Sequence, residues 1–194
     1  SRTVATCMSD HRLGFAVKVL GDGGLPSHDT RRWQSGPHLR VSLGNLTAIL
    51  EYLDRHDLRM YRMATALAPY ASHPELPQFH EQVTECGEEL AAIGARAREL
   101  GIRLSSHPGQ YTVLNSEREE VVASAVAELE VQGELFAAMG LGPEAAIVVH
   151  IGGIAGGTEA ALDRFVAGYE RLSERVRGHL RIENDDRSFG IGDV

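Results

Sequence analysis

Hydrophobic positions along this chain follow two alternating rhythms. Short apolar or period-two runs at 12–20, 58–65, 102–106, 145–151 and 179–184 predict five strands. Between them the spacing lengthens to that of helices. Leu43, Leu46, Leu50 and Leu53 line one face of 41–56. Val83, Cys86, Leu90, Ile93, Ala97 and Leu100 line one face of 78–100, which Gly101 closes. Ser116 and Glu119 form a capping box for a third helix that runs to Met139 and ends at Gly140. Thr158 caps a fourth, with Leu162, Phe165, Tyr169, Leu172 and Val176 inside and Gly178 as its stop. Strict βα alternation of this kind predicts a parallel sheet, either doubly wound or closed into a barrel.

The strand ends choose between the two. His73, His107, His150 and Glu183 each fall at or just beyond a predicted strand, at intervals of 34, 43 and 33 residues. A (β/α)8 TIM barrel presents polar residues at the C-terminal ends of successive strands, with about 31 residues per unit. A doubly wound sheet would show a phosphate-binding glycine loop after its first strand. No G-x-G-x-x-G follows Leu20, and no Walker A motif occurs. The expected architecture is therefore a TIM barrel, with about the first five βα units within 1–194. No linker or low-complexity tract divides the chain, so one incomplete domain is expected, with strands six to eight absent.

His107 stands in Arg103-Leu-Ser-Ser-His-Pro-Gly-Gln-Tyr111. The proline after it disfavours helix and the glycine permits a sharp turn. Gln110 and Tyr111 then sit on an exposed loop and predict a recognition tip. Imidazoles with a carboxylate suit a transition metal such as Zn2+, Mn2+ or Fe2+. On this reading His107, His150 and Glu183 are metal ligands. Glu183 lies on an apolar strand, where an unpartnered carboxylate is unfavourable. His73 either acts beside the metals or on a substrate phosphate, or is a structural turn residue. Between the first strand and first helix, Arg31, Arg32 and Trp33 form a basic–aromatic cluster, readable as a surface loop or a nucleic-acid contact.

Bulk properties narrow the setting. The chain has 194 residues, 43% hydrophobic and 24% charged, which suits a soluble globular protein. No apolar run approaches a membrane span of about 20 residues. Its N-terminus lacks the apolar segment of a signal peptide. The two cysteines, Cys7 and Cys86, form no Cys-x-x-Cys pair, favouring a reducing cytoplasm. Cys86 falls on the helical apolar stripe as a small core residue. A net charge of −8 argues against non-specific nucleic-acid binding, although bound cations change the local field that a phosphate meets. Nothing calls for an obligate protein partner.

Five segments, taken together, resemble the UV damage endonuclease family, barrel relatives of endonuclease IV. They are Arg12-Leu-Gly-Phe15, Ala68-Pro-Tyr-Ala-Ser-His-Pro74, Ser106-His-Pro-Gly-Gln-Tyr111, Val149-His-Ile-Gly-Gly153 and Ile182-Glu-Asn-Asp-Asp186. They touch all five predicted strands in order. The resemblance implies a DNA repair endonuclease that nicks damaged double-stranded DNA immediately 5′ of UV photoproducts, using a divalent metal cluster, commonly Mn2+. It implies that Glu183 bridges two ions and that Gln110 and Tyr111 probe the duplex. Such an enzyme would work on cytoplasmic, nucleoid-associated DNA. Phe15 stands where some members carry Tyr, which keeps ring stacking and loses a hydroxyl. Further ligands are expected on the three strands beyond Val194. A sugar isomerase of the same barrel superfamily would share strand-end His and Glu ligands without needing the Gln110–Tyr111 tip. A non-catalytic DNA-binding fragment would show affinity without metal-dependent cutting.

Overall fold

The computed structural model describes residues 11–20, 23–184 and 189. Cys7 and the Asp185–Asp186 end of the last motif lie outside the described residues. Five strands form one parallel sheet in the order β1-β2-β3-β4-β5: β1 (Gly14–Ala16), β2 (Met60–Met63), β3 (Arg103–Ser106), β4 (Ala146–His150) and β5 (Leu180–Glu183). The helices are α1 (Leu39–Arg55), α2 (Gln82–Glu85), α3 (Gly87–Glu99), α4 (Glu119–Ala138), α5 (Thr158–Glu170) and α6 (Glu174–His179).

Consecutive parallel order has a direct consequence. Each crossover turns the same way, so all the helices pack on one face. Side chains alternate across that division. Tyr61, Met63, Leu104, Ile147 and Val149 point towards the helices and are buried. The opposite face carries Arg62, Arg103, Ala146, Val148, His150 and Glu183, half-buried or exposed. Among the described residues no reversal of strand order occurs, so this is the TIM-barrel-like α/β arrangement and not a doubly wound sheet. The apolar run at β4 suggests burial on both faces. Instead Ala146 and Val148 are half-buried, on the sheet face opposite the helices.

Several predicted boundaries shift for local reasons. β1 is three residues long, not nine, and the chain turns at Val17, which adopts φ 60°. The long helix predicted over 78–100 is broken into a 3-10 turn (Pro77–Phe79), α2 and α3, with Cys86 non-helical at the joint. Buried Gln82 at the start of α2 has backbone partners in place of solvent: Oε1 accepts from Leu39 N (2.7 Å), and Nε2 donates to Pro69 O and Phe79 O. Cys86 itself is fully buried in the core, as expected. The Ser116–Glu119 capping box does not form. Ser116 Oγ accepts from Arg118 N (3.1 Å), and Arg118 occupies the cap position without a side-chain cap. Gly157, with φ 97°, takes the cap position expected of Thr158. The fourth predicted helix divides into α5 and α6, and Ser173 caps the second piece.

Candidate metal centre and recognition loop

Strand register and parity bring three expected ligands to one place. His150 pairs directly with Glu183 across β4 and β5, and Ser105 pairs with Ala146 across β3 and β4. His107 lies two residues beyond Ser105, and His150 four beyond Ala146. Even offsets keep all of these side chains on the face away from the helices. Their candidate ligand atoms lie within 4.8 Å of one another. Glu183 Oε2 is 2.7 Å from His107 Nε2 and 3.8 Å from His150 Nε2. The two imidazole centroids are 5.1 Å apart.

The environment suits cation binding. His107 Nδ1 donates to the Pro108 carbonyl (3.0 Å), which has no proton to give in return. That bond fixes the ring and leaves Nε2 facing Glu183. The hydrogen bond from His107 holds the Glu183 carboxyl below its ordinary range, with smaller contributions from the charges of His150 and Arg62. Glu183 is thus an anionic acceptor beside two histidine rings; a cation would take the place of the Nε2 proton between His107 and Glu183, and two imidazoles with a carboxylate then fit a divalent transition metal. Among the described residues no other group of three such side chains is close enough to share an ion.

The expected tip follows directly. Gly109 to Thr112 is closed by a bond from Thr112 N to Gly109 O (2.9 Å), and Tyr111 at its apex is 83% exposed. A cleft of about 650 Å3 runs beneath the tip between the loops that follow β2 and β3, lined in part by Tyr70, His73, Tyr111, Glu128 and Gln132.

The other expected site residues have different surroundings. His73 is not part of the three-residue group. Its Nδ1 accepts from Glu75 N (3.2 Å) and its carbonyl accepts from His80 Nε2 (2.8 Å), so it knits the turn after β2 at the rim of the cleft. Phe15, expected at the interface, packs edge-on against Tyr61 (5.4 Å) and Tyr52 (6.1 Å), between the sheet and α1. Its odd position on β1 turns it to the helix side. Arg31 also pairs with Asp29, donating to both of its carboxylate oxygens. Arg32 and Trp33 remain exposed on the same loop, which leaves the C-terminal end of β1 and so shares an end of the sheet with the metal-ligand candidates.

Supporting residues were not visible in the sequence pattern. Thr65 Oγ1 donates to the His107 carbonyl (3.0 Å). Asn115 Nδ2 donates to Gly153 O (2.7 Å), and Arg164 Nε donates to Asn115 O (2.8 Å), joining the loops that follow β3 and β4. Buried Gln132 on α4 carried the one available signal, a polar amide on an apolar helical stripe.

The chain is similar to known proteins of one family along most of its length. A family model described as UV-endonuclease UvdE matches residues 38–194. The chain belongs to this family. The UV-damage endonuclease of Neurospora crassa is 37% identical over 162 residues, covering 79% of this chain and 24% of the relative. The UV DNA damage endonuclease of Clostridium perfringens is 33% identical over 155 residues, covering 80% and 37% respectively. The crystal structure of SacUVDE superposes with a TM-score of 0.76 at 33% identity, covering 87% of this chain and 59% of that one. The chain spans about a quarter to a half of the curated UvdE relatives it matches.

Proposed function

We propose that the protein is a metal-dependent DNA repair endonuclease that nicks double-stranded DNA immediately 5′ of UV photoproducts. The observation that carries this reading is the placing of His107, His150 and Glu183 together at one sheet end, beside the exposed Gln110–Tyr111 tip. We further propose that β1 to β5 are the first five strands of an eight-stranded barrel, and that 1–194 form one incomplete domain.

In this reading His107 and His150 bind a cation through Nε2, and Glu183 binds it through its carboxylate. Mn2+ fits the mixed imidazole and carboxylate set, with Zn2+ and Fe2+ as chemical alternatives. Such an ion, when bound, supplies charge neutralisation at the phosphate and activation of water. Pro108 O keeps the His107 ring oriented. Gln110 offers an amide and Tyr111 a ring to a distorted base step. Unstacking is less unfavourable at a damaged step, so a protruding pair can sense it. Arg32 and Trp33 contribute a cationic and an aromatic contact to flanking DNA. His73, at the cleft rim, serves as a phosphate contact. A positive ion at this face also explains how a chain of net charge −8 meets a polyanion. The substrate places its work at nucleoid DNA in the cytoplasm. No described helix is long and apolar enough to cross a membrane.

Incision of UV-irradiated supercoiled plasmid with Mn2+ tests the reading. Wild-type protein is expected to nick irradiated plasmid and spare unirradiated plasmid, and chelation should abolish nicking. His107→Ala, His150→Ala and Glu183→Ala should each reduce the rate by about 100-fold or more, because each removes a charge-neutralising ligand. Their circular dichroism should match wild type. Undiminished nicking by these variants would overturn the ligand assignment.

A further inference from the structure

The recognition loop is held at both ends by a single helix. Glu128 and Gln132 stand one turn apart on α4, so they share a face. Both are polar residues on the side of α4 that meets the protein. Gln132 is fully enclosed, and its Nε2 donates to Thr65 O (3.0 Å). Thr65 in turn donates through Oγ1 to the carbonyl of His107 (3.0 Å). Glu128 Oε2 accepts from Thr112 Oγ1 (3.0 Å). His107 and Thr112 are the first and last residues of the segment that contains the tip. Between them the backbone has one internal bond outside regular structure, Thr112 N to Gly109 O. Its geometry is therefore set largely from its two ends.

We propose that Glu128 and Gln132 are positioning residues: Gln132, through Thr65, sets the His107 end for metal binding, and Glu128, through Thr112, sets the Gln110–Tyr111 tip for lesion recognition. The proposal rests on the endonuclease reading for its DNA arm, and on the His107–His150–Glu183 geometry alone for its metal arm. Both polar groups sit on a long helix, a more rigid support than a loop. A polar residue on a buried helix face is unfavourable unless it finds a partner. Each of these two finds its partner on the loop side of the helix, towards one end of the same segment. Tip and ligand are thereby controlled separately, although only four residues lie between His107 and Thr112.

The experiment uses Thr112→Val, Glu128→Ala, Glu128→Gln and Gln132→Met, with three readouts: Mn2+ affinity, steady-state incision of irradiated duplex, and amide hydrogen exchange across 107–112. Glu128→Ala and Thr112→Val should raise KM for irradiated DNA about 10-fold, with kcat within about twofold and Mn2+ affinity unchanged. Glu128→Gln keeps an acceptor for the Thr112 hydroxyl and should restore KM. The double variant Thr112→Val with Glu128→Ala should be no worse than either single change, since both break one bond. Gln132→Met should weaken Mn2+ binding about 10-fold or more, the range seen when an outer support of a ligand is lost. Exchange should quicken at the tip in the Glu128 and Thr112 variants. If Glu128→Gln behaves as badly as Glu128→Ala, or if the variants only lower Tm while KM, metal affinity and exchange stay at wild-type values, the positioning role is wrong. If wild-type protein binds Mn2+ but does not cut irradiated DNA, the endonuclease reading fails, and metal affinity and exchange still decide the clamp.

Discussion

Asp29 shows how a single residue can redirect a functional expectation. Its carboxylate is 3% exposed and accepts from the Arg31 guanidinium, from Arg31 N (3.2 Å) and from His38 N (3.0 Å), while its own N–H donates to Ser42 Oγ (2.9 Å). Arg31 reads in sequence as part of a basic–aromatic cluster, on a surface loop or at a nucleic-acid contact; in the fold it pairs with Asp29 in the loop leading to α1 and stays half-exposed. The Arg31 hydrogen bond holds the Asp29 carboxyl far below the ordinary carboxylate range, more than offsetting its burial. A depressed carboxylate stabilises the fold fully above its unfolded value of about 3.9, and that contribution fades as pH falls below it. Asp29→Asn is therefore expected to be less stable than wild type at pH 7, by about 1–3 kcal/mol for the charged bonds lost. The gap should narrow as urea denaturation is repeated from pH 4 down towards pH 2. A gap independent of pH over that range would show that charge is not what Asp29 contributes. His38 adds to the same turn. Its Nδ1 accepts from Arg40 N at the α1 cap, and its Nε2 lies 3.0 Å from Glu85.

At the scale of elements, two glycines within helices have opposite roles that composition alone cannot distinguish. Gly94 on α3 is buried against the end of α4, where a Cβ would overlap the carbonyl of Met139. Gly44 on α1 is exposed, with open space where a Cβ would be. Gly94→Ala should destabilise the protein by about 1–3 kcal/mol through overpacking. Gly44→Ala should stabilise it by about 0.5–1 kcal/mol, because alanine loses less backbone entropy in a helix. Paired urea melts would check both signs, and stabilisation by Gly94→Ala would mean that α3 and α4 do not approach this closely. The helical stripes were legible because burial on one side imposes a 3.6-residue period. The break at Cys86 was not, because the apolar stripe continues through it. Nor were the partners of buried Gln82, because Leu39, Pro69 and Phe79 come from different segments.

At the scale of the molecule, the candidate metal centre brings together side chains from the ends of three strands. Ligand binding to the folded state alone stabilises it by about 2.7 kcal/mol at 100 times Kd. Each kcal/mol moves Tm by about 2–4 °C in a protein of this size. Saturating Mn2+ is thus expected to raise Tm by about 5–10 °C, reversed by chelator, and Glu183→Ala should remove the shift. An equal shift in Glu183→Ala would locate the ion elsewhere. The sheet face opposite the helices carries Arg62, Val148 and Glu183 in partial contact with solvent.

Sequence by itself determined the alternation of strands and helices, the choice of a barrel-like sheet, and the candidacy of His107, His150 and Glu183. Those features are local: a period of two or 3.6, a proline after a histidine, a polar residue ending an apolar run. Tertiary structure alone decided which polar side chains meet. Register across β3, β4 and β5 brought three residues spread over 77 positions within 4.8 Å of one another. Packing turned Phe15 towards Tyr52 and tied Arg31 to Asp29. It also set Glu128 and Gln132 behind the two ends of the 107–112 loop. The physical reason is that hydrogen bonds and ligand sets depend on through-space distance. The hydrophobic pattern reports which side of an element is buried, not which neighbour lies against it.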